Sequence, residues 1–184
     1  MPCEIEHPIR FEEHRQHAAY DADFANRFWR ALVQTDRVLT AFRARFLGKV
    51  SPVHFFWGSF DLAVTRFSGG RAPPHPGGPN VSDKVTREAY SLEVSSARFW
   101  PGAARVSDPV FYAYAYPEPA GFAQASVAPT AASYSSAFGE FFCCPMRLSA
   151  RRPRLTIFCW KFLPSRYEAA ADLGRWDRAA LERA

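Results

Sequence analysis

The chain has 184 residues, of which 48% are hydrophobic and 16% aromatic, and it carries a formal net charge of +5. This length corresponds to one domain, and so much apolar and aromatic content excludes a disordered chain. No apolar run approaches the roughly 20 residues of a transmembrane helix, and the N-terminus lacks the basic start and apolar centre of a signal peptide. We therefore expect a single cytoplasmic domain over residues 1–184 that has no membrane partner.

The positive charge is concentrated in one atypical basic segment, residues 141–166, which contains six basic residues and no acidic one. These are Arg147, Arg151, Arg152, Arg154, Lys161 and Arg166. The rest of the chain is close to neutral, so the basic character is local and we do not expect a nucleic-acid partner. The rival interpretation is a basic surface in which Phe158, Trp160 and Phe162 alternate as in a strand and offer aromatic rings to nucleic acid.

The cysteines and histidines give no metal-binding pattern. The four cysteines contain no C-x-x-C pair, which disfavours a zinc knuckle. His14 and His17 would share one face of a helix, but the order E-E-H-R-Q-H differs from the H-E-x-x-H of zinc proteases. We therefore predict no metal site, and the sequence leaves any cofactor unknown.

Residues 22–47 are predicted to form one long amphipathic helix. Asp21 is a suitable N-cap, and Gly48 stands where a C-terminal cap is expected. Apolar and small residues recur at steps of three and four: Phe24, Phe28, Leu32, Thr35, Leu39, Phe42 and Phe46. Such a stripe is typical of a helix that covers a hydrophobic core.

The stretch Ser51–Phe67 is the most distinctive part of the chain, with five aromatic residues beside His54, Asp61 and Arg66. We predict a strand over residues 53–57, a bend at Gly58 and Ser59, and a second extended run over 60–67. The aromatic content places the stretch in the core. Any polar group that it carries inward then needs a partner, at a cost of roughly 1 to 3 kcal/mol if it has none.

Residues 68–83 are dense in glycine and proline and are predicted to form a surface loop without regular structure. Their glycines match neither the P-loop nor the dinucleotide-binding pattern. Further along, residues 90–97 are a predicted strand, residues 99–102 a turn, residues 110–116 a strand and residues 138–144 another strand. In the strand at 110–116, Tyr112, Tyr114 and Tyr116 share one face. Residues 167–184 are predicted to be helical, with a break at Gly174.

These elements predict an α+β fold. We expect a mainly antiparallel sheet, built from strands near 53–67, 90–97, 110–116 and 138–144, with the long helix packed on one face. The alternative is a β-sandwich with that helix outside. An open sheet edge or an uncovered apolar face would lead to self-association.

Several strings in order along the chain resemble a bacterial family, the domain of unknown function numbered 5996. They are NRFWRALVQTDRV, PVHFFWGSFDLAVTRFSG, REAYSLEV, FWPG, FYAYAYPEP and YEAAADLGRWDRAALE. The resemblance covers roughly residues 3–140 and 167–183 and implies a cytoplasmic protein of mixed α and β structure with many histidines and aromatics. It implies no established activity.

The resemblance also raises three expectations about departures from the family pattern. The chain is expected to correspond to the C-terminal part of the family domain. The family pattern implies a carboxylate near His14 and a histidine near Leu92, and we expect this chain to depart from the pattern at these places. Residues 141–166 depart from the pattern altogether, and we predict that a pair of compensating frameshifts produced them. Translation of the neighbouring frames of the gene should then recover a family-like segment.

Two classes of function fit the polar residues on predicted core strands. In the first, an enzyme acts on a small organic or carbohydrate-like substrate, with His54 as general base or metal ligand and Asp61 or Glu93 as its carboxylate partner. The candidate substrate-binding residues are Trp57, Arg66, Tyr90, Trp100, Tyr112 and Tyr114.

The second class, which we favour, is a non-catalytic binding or structural domain, or a fragment of one. Here His54 is a hydrogen-bonded core residue, and Asp61 and Arg66 form a salt bridge. Geometry separates the two classes, because catalysis requires His54 and the carboxylates to converge within about 3 to 4 Å on an open cleft.

Overall fold

The computed structural model describes residues 9–16, 19–78, 81–102, 106, 108–143 and 154–183. Its helices are α1 (Ala22–Ala44), α2 (Asp83–Ala89), α3 (Arg154–Leu173) and α4 (Arg178–Leu181), with a 3-10 turn at Phe122–Gln124. Its strands are β1 (His54–Phe56), β2 (Asp61–Arg71), β3 (Leu92–Trp100), β4 (Val110–Tyr116), β5 (Ser133–Ser135) and β6 (Glu140–Cys143).

The six strands form one antiparallel sheet in the order β1-β2-β3-β4-β6-β5, and this confirms the predicted α+β fold. The helices α1 and α3 pack together on the sheet, α1 against β2 and α3 against β3 and β4. Within the described part of the chain no second sheet packs on the first, so the β-sandwich alternative is wrong. No described helix is long and apolar enough to cross a membrane.

The helix α1 forms as predicted at its start and ends earlier than predicted. The Asp21 carboxylate accepts a hydrogen bond of 2.9 Å from the Phe24 backbone N–H, which is the expected N-cap. The helix stops at Ala44 with Arg45 as its cap, so Gly48 is not the cap. Its inward stripe, Thr35, Val38, Leu39 and Phe42, is buried against the sheet.

The helix α3 corrects the interpretation of Phe158, Trp160 and Phe162 as a strand. It begins at Arg154, thirteen residues before the predicted helix, and continues through Pro164. Its buried residues are Phe162, Leu163, Arg166, Tyr167, Ala170 and Ala171. They recur at the helical spacing of three and four, whereas the alternation of aromatics had suggested the strand period of two. The apolar residues of this segment are therefore explained by the burial of one helix face and not by alternation along a strand.

Three other boundaries differ from the prediction. The strand β2 continues to Arg71, so the first residues of the predicted loop at 68–83 are paired with β3. The short helix α2 lies between the predicted loop and the predicted strand, and β3 begins at Leu92, two residues later than predicted. The strand β3 runs on through Trp100, so Phe99 belongs to a strand and not to the predicted turn.

The prediction that the whole stretch Ser51–Phe67 lies in the core is wrong for its first half. Phe56, Trp57 and Phe60 are exposed, whereas the start of β2 is buried. The reason is topological, because β1 is a three-residue strand at the edge of the sheet. Only β2 lies between two neighbouring strands under α1.

Candidate functional site

The register of the strands divides the sheet into two faces of different chemistry. The helix face, which α1 and α3 cover, includes Leu62, Val64, Arg66, Ser95, Ala97, Phe99, Phe111, Ala113 and Ala115. The open face includes Asp61, Ala63, Thr65, Ser96, Arg98, Tyr112, Tyr114 and Phe142. Because side chains alternate along a strand, neighbours in sequence lie on opposite faces.

The centre of the open face is an ion pair between Asp61 and Arg98. Asp61 is fully buried, and Arg98 Nη1 donates to its Oδ2 at 3.1 Å. The Tyr112 hydroxyl donates to the same oxygen at 2.7 Å, and the Ser59 hydroxyl donates to Oδ1. Three donors therefore satisfy a carboxylate that would otherwise be costly to bury.

Arg98 links this ion pair to the row of tyrosines. Its Nη2 donates to the Tyr114 hydroxyl at 2.8 Å, and its Nε donates to Ser96 Oγ at 3.1 Å. The Tyr114 hydroxyl also lies 2.7 Å from the Tyr90 hydroxyl. The guanidinium is thus held from three directions, and its side chain keeps 16% of its surface exposed.

The pKa values of Tyr90, Tyr112 and Arg98 are all raised above their usual values. Burial, followed by the charge of nearby Asp61, holds the pKa of Tyr112 well above its usual value, although Arg98 opposes this. Burial and the hydrogen-bonded Tyr114 raise the pKa of Tyr90. Burial alone would lower the pKa of Arg98, but the phenols of Tyr114 and Tyr112 and the Asp61 carboxylate raise it. Tyr90 and Tyr112 therefore stay protonated near neutral pH.

Aromatic rings surround this network on the open face. The Tyr112 and Phe142 rings are stacked, with centroids 6.0 Å apart, and Phe138 contacts Phe142 at 5.4 Å. The Arg98 guanidinium lies 5.1 Å from the Phe56 ring and 5.3 Å from the Tyr114 ring. The result is an aromatic surface with one cationic group at its centre.

A second aromatic group covers one end of the open face. His75 lies in the loop after β2, with its ring 4.7 Å from both Tyr90 and Tyr116. The Tyr116 hydroxyl donates to the Pro73 carbonyl at 3.0 Å, which fastens this loop to β4. The tyrosine row is therefore covered at this end, and its tyrosines are half-buried.

His54 and Trp57 lie beside this network without joining it. The His54 ring packs 4.3 Å from Phe56, and its Nδ1 is 3.1 Å from the Pro52 carbonyl oxygen. Because a carbonyl only accepts, Nδ1 carries the proton and a neutral ring has its lone pair on Nε2. Trp57 is 81% exposed in the turn after β1 and meets the Phe55 ring edge-on at 5.6 Å.

The turn after β1 holds Phe60 in a left-handed backbone conformation, with φ of 60°. A bulky side chain rarely adopts this conformation, which costs about 1 to 2 kcal/mol. The Phe60 ring stacks on Phe28 of α1 at 5.3 Å, and this contact offsets part of that cost. The next residue is Asp61, so the turn helps to fix the position of the buried carboxylate.

Two of the remaining candidates lie away from the Asp61–Arg98 centre, on the other face of the sheet. Arg66 and Glu93 lie on the helix face, since each is an even number of residues from other residues of that face. The predicted Asp61–Arg66 salt bridge is therefore wrong, and Arg98 is the partner of Asp61. Glu93 accepts a hydrogen bond of 2.7 Å from Ser68. Trp100 is on the open face, two residues beyond Arg98 in β3.

The described residues contain no group of three or more His, Cys, Asp or Glu side chains that could hold a metal ion. His17, one member of the weak pair considered from the sequence, lies outside the described residues. His14 is half-buried near the N-terminus, far along the chain from His54.

Arg98 is the principal residue that sequence reasoning missed. It stands in the string SSAR, where small residues precede it and no motif marks it. Antiparallel pairing of β3 with β4 places Arg98 directly opposite Tyr112, and pairing with β2 places it opposite Ala63, two residues from Asp61 on the same face. The usable signal was the even spacing of Ser96 and Arg98, which puts two polar side chains on one face of a strand.

Fold and site together define a single-sheet α+β protein with a buried ion pair under an aromatic surface. The model of the family of unknown function DUF5996 matches residues 1–183, and the chain belongs to this family. No curated protein and no solved structure matched the chain. The out-of-frame origin of residues 141–166 and self-association both remain predictions.

Proposed function

We propose that this chain is a non-catalytic binding domain whose open sheet face binds a small, uncharged ring compound such as a carbohydrate. The observation that carries the proposal is the Asp61–Arg98 pair, which fixes a cationic donor group among the rings of Phe56, Tyr112 and Phe142. Rings held in place lose little entropy on contact with a ligand, and the exposed edge of Arg98 supplies directional hydrogen bonds.

The charge of the open face favours an uncharged ligand. Arg98 is neutralised by Asp61 at 3.1 Å, and the phenols remain protonated because burial raises the pKa values of Tyr90 and Tyr112. A flat aromatic surface with polar groups at its centre suits a ring that has an apolar side and hydroxyl or amide substituents.

The hydrogen bonding of Asp61 supports binding over catalysis. Its carboxylate is fully buried and receives three donors, so it is poorly placed to take a proton from a substrate. Glu93 lies on the opposite face of the sheet, and no hydrogen bond joins His54 to either carboxylate. The candidate acid and base groups do not converge in the way that catalysis requires.

Saturation-transfer NMR with a panel of methyl glycosides, disaccharides and neutral nucleobases tests this proposal. We expect one class in the panel to bind, and Phe142→Ala to weaken its affinity about tenfold by removing one ring of the stacked pair. Phe24→Ala is the matched control, because Phe24 is an exposed aromatic on α1, away from the open face. If no class binds, or if both variants bind equally well, the proposal is wrong.

One observation favours an enzyme as the second candidate. The bond from His54 Nδ1 to the Pro52 carbonyl leaves Nε2 free to act as a base toward a substrate on the open face. In that case His54→Gln would abolish turnover of a bound compound while leaving its affinity within about threefold of wild type. Product analysis by NMR of any ligand identified in the panel would detect this, and a ligand recovered unchanged would exclude it.

A further inference from the structure

The helix face contains a cavity that the proposed function does not use. It has a volume of about 510 Å³ and lies between the C-terminal end of α1, the middle of α3 and the last residues of the described chain. Its lining includes the side chains of Arg45, Arg66, Glu168, Glu182 and Arg183. This volume falls in the range of about 300 to 1,000 Å³ that is usual for small-molecule sites.

Arg66 is the buried cation of this cavity. Only 3% of its surface is exposed, and its guanidinium is surrounded by the rings of Phe42 at 3.5 Å, Tyr167 at 4.2 Å and Phe46 at 5.0 Å. Its Nη2 donates to the Phe42 carbonyl, but its Nε–H has no hydrogen-bond partner among the described residues. A buried charged donor without a partner is costly unless a ligand supplies an acceptor.

A second buried arginine increases the excess of positive charge. Arg166 of α3 is fully buried, and its one described bond is from Nη1 to Ser95 Oγ at 2.8 Å. Its Nε and Nη2 have no partner in the described part of the chain. Burial and then the charge of nearby Arg66 lower the pKa of Arg166 to about 9. The two guanidinium groups therefore lie close together, and neither forms an ion pair with a carboxylate among the described residues.

Both glutamates of the cavity form ion pairs with Arg178, so Glu182 offsets the charge of Arg66 only in part. Burial lowers the pKa of Arg66 to about 10, although the nearby Tyr167 and Glu182 raise it. Glu182 accepts hydrogen bonds of 2.6 Å and 3.1 Å from Arg178, and these bonds are the main reason that its pKa is lowered. Glu168 lies 3.8 Å from the same guanidinium. Arg45 and Arg183 are exposed at the cavity, where they add further positive charge.

We propose that this cavity binds the carboxylate or phosphate group of a small anionic molecule, with Arg66 as the buried anchor and Arg45 and Arg183 as outer contacts. An oxyanion accepts hydrogen bonds from guanidinium groups in a planar, paired geometry and neutralises their charge. The site is on the opposite side of the sheet from the ring-binding surface and does not depend on it.

Thermal unfolding and calorimetry of the full chain test this site with inorganic phosphate and with citrate, in HEPES at an ionic strength fixed by sodium chloride. We expect at least one anion to raise the unfolding temperature in a concentration-dependent way, because a ligand that binds only the folded state stabilises it. A response to phosphate alone identifies a phosphate ligand, and a response to citrate alone identifies a carboxylate ligand.

Variants inside and outside the cavity make the test specific. We expect the double variant R45Q/R183Q to bind the anion about tenfold more weakly, and Arg66→Lys to lose affinity because an ammonium cannot pair with an oxyanion through two bonds. Arg37→Gln removes one exposed charge of α1 outside the cavity and should bind like wild type.

Two results would overturn the inference. One is that neither anion stabilises the wild type more than chloride does. The other is that R45Q/R183Q binds as tightly as R37Q, a comparison that stays informative if Arg66→Lys fails to fold. Phe142→Ala should retain anion binding, so failure of the ring-binding proposal and failure of this one are distinguishable.

Discussion

The two faces of the sheet bury arginines in opposite ways. On the open face, Arg98 is paired with the buried Asp61 carboxylate and with phenol and hydroxyl acceptors. On the helix face, Arg66 and Arg166 are buried at least as deeply, yet their described acceptors are one carbonyl and one hydroxyl. On one face the buried cation is paired with a buried carboxylate, and on the other the buried guanidinium groups keep nitrogen atoms without a partner among the described residues.

This difference indicates what each face is suited to bind. A complete network presents a rigid surface of fixed charge, which favours an uncharged ligand that adds contacts without disturbing the ion pair. An incomplete one gains most from an anion that satisfies groups the protein leaves unpaired. The same residue type therefore has a positioning role on one face and a proposed ligand-binding role on the other.

The largest expected effect comes from replacing one arginine on each face by methionine. Arg98→Met leaves the buried Asp61 carboxylate without its cation and should lower the free energy of unfolding by about 3 to 5 kcal/mol. Arg166→Met removes a buried charge that has no carboxylate partner, so its effect should stay within about 1 kcal/mol or be stabilising. Urea unfolding measures both. Arg37→Met, at an exposed position, is the control, and equal losses for Arg98→Met and Arg166→Met would contradict the comparison.

A smaller effect is expected from the buried tyrosines at alkaline pH. Burial raises the pKa of Tyr90 and Tyr112, with Tyr114, Asp61 and Glu140 adding to the shifts, so both phenols stay protonated in the folded state above pH 10 and ionise in the unfolded state. The stability that they contribute is fully present below pH 10 and decreases as the pH rises, by about 1.4 kcal/mol for each at pH 11.

Tyrosinate absorbance at 295 nm measures the ionisation of the phenols directly, because the arginines do not contribute to it. The chain has seven tyrosines, and we expect several to remain un-ionised at pH 11 in the folded protein but not in urea. A folded protein in which all seven titrate together near pH 10 would show that the open face is not a closed network.

The smallest effect is expected from Tyr112→Phe, which removes one of the three donors to Asp61 but keeps the ring. The loss in unfolding free energy should be about 1 to 2 kcal/mol, the usual cost of leaving part of a buried acceptor unsatisfied. Tyr20→Phe is the matched control, since Tyr20 is 81% exposed. A change in Tyr112→Phe no larger than in the control would mean that Arg98 and Ser59 satisfy the carboxylate without Tyr112.

Some of the fold could be predicted from the sequence because the pattern was local. The period-two alternation of residues 110–116 matches the strand β4, and the apolar stripe after Asp21 matches α1. The first half of the helix α3 was not predicted. Its alternating aromatic residues fit the period of a strand, and the helical spacing of the buried residues that follow was not recognised.

The candidate site was predicted in part. Tyr90, Tyr112, Tyr114 and Asp61 do meet in one hydrogen-bonded network, but its central Arg98 had no local signal. The positions of Arg66 and Glu93 on the other face follow from strand register, and a shift of one residue would have reversed every such assignment.

The sequence by itself determined the fold class, the long capped helix and the face shared by the tyrosines, because periodicity and capping act between residues close together in the chain. Only the tertiary structure decided which charges are paired. Asp61 and Arg98 are 37 positions apart, and their contact depends on the strand order and register. The same order places the guanidinium groups of Arg66 and Arg166 between the sheet and the helices, where neither forms an ion pair with a described carboxylate. The pairing of buried charges is thus set by packing across the sheet and not by neighbours in sequence.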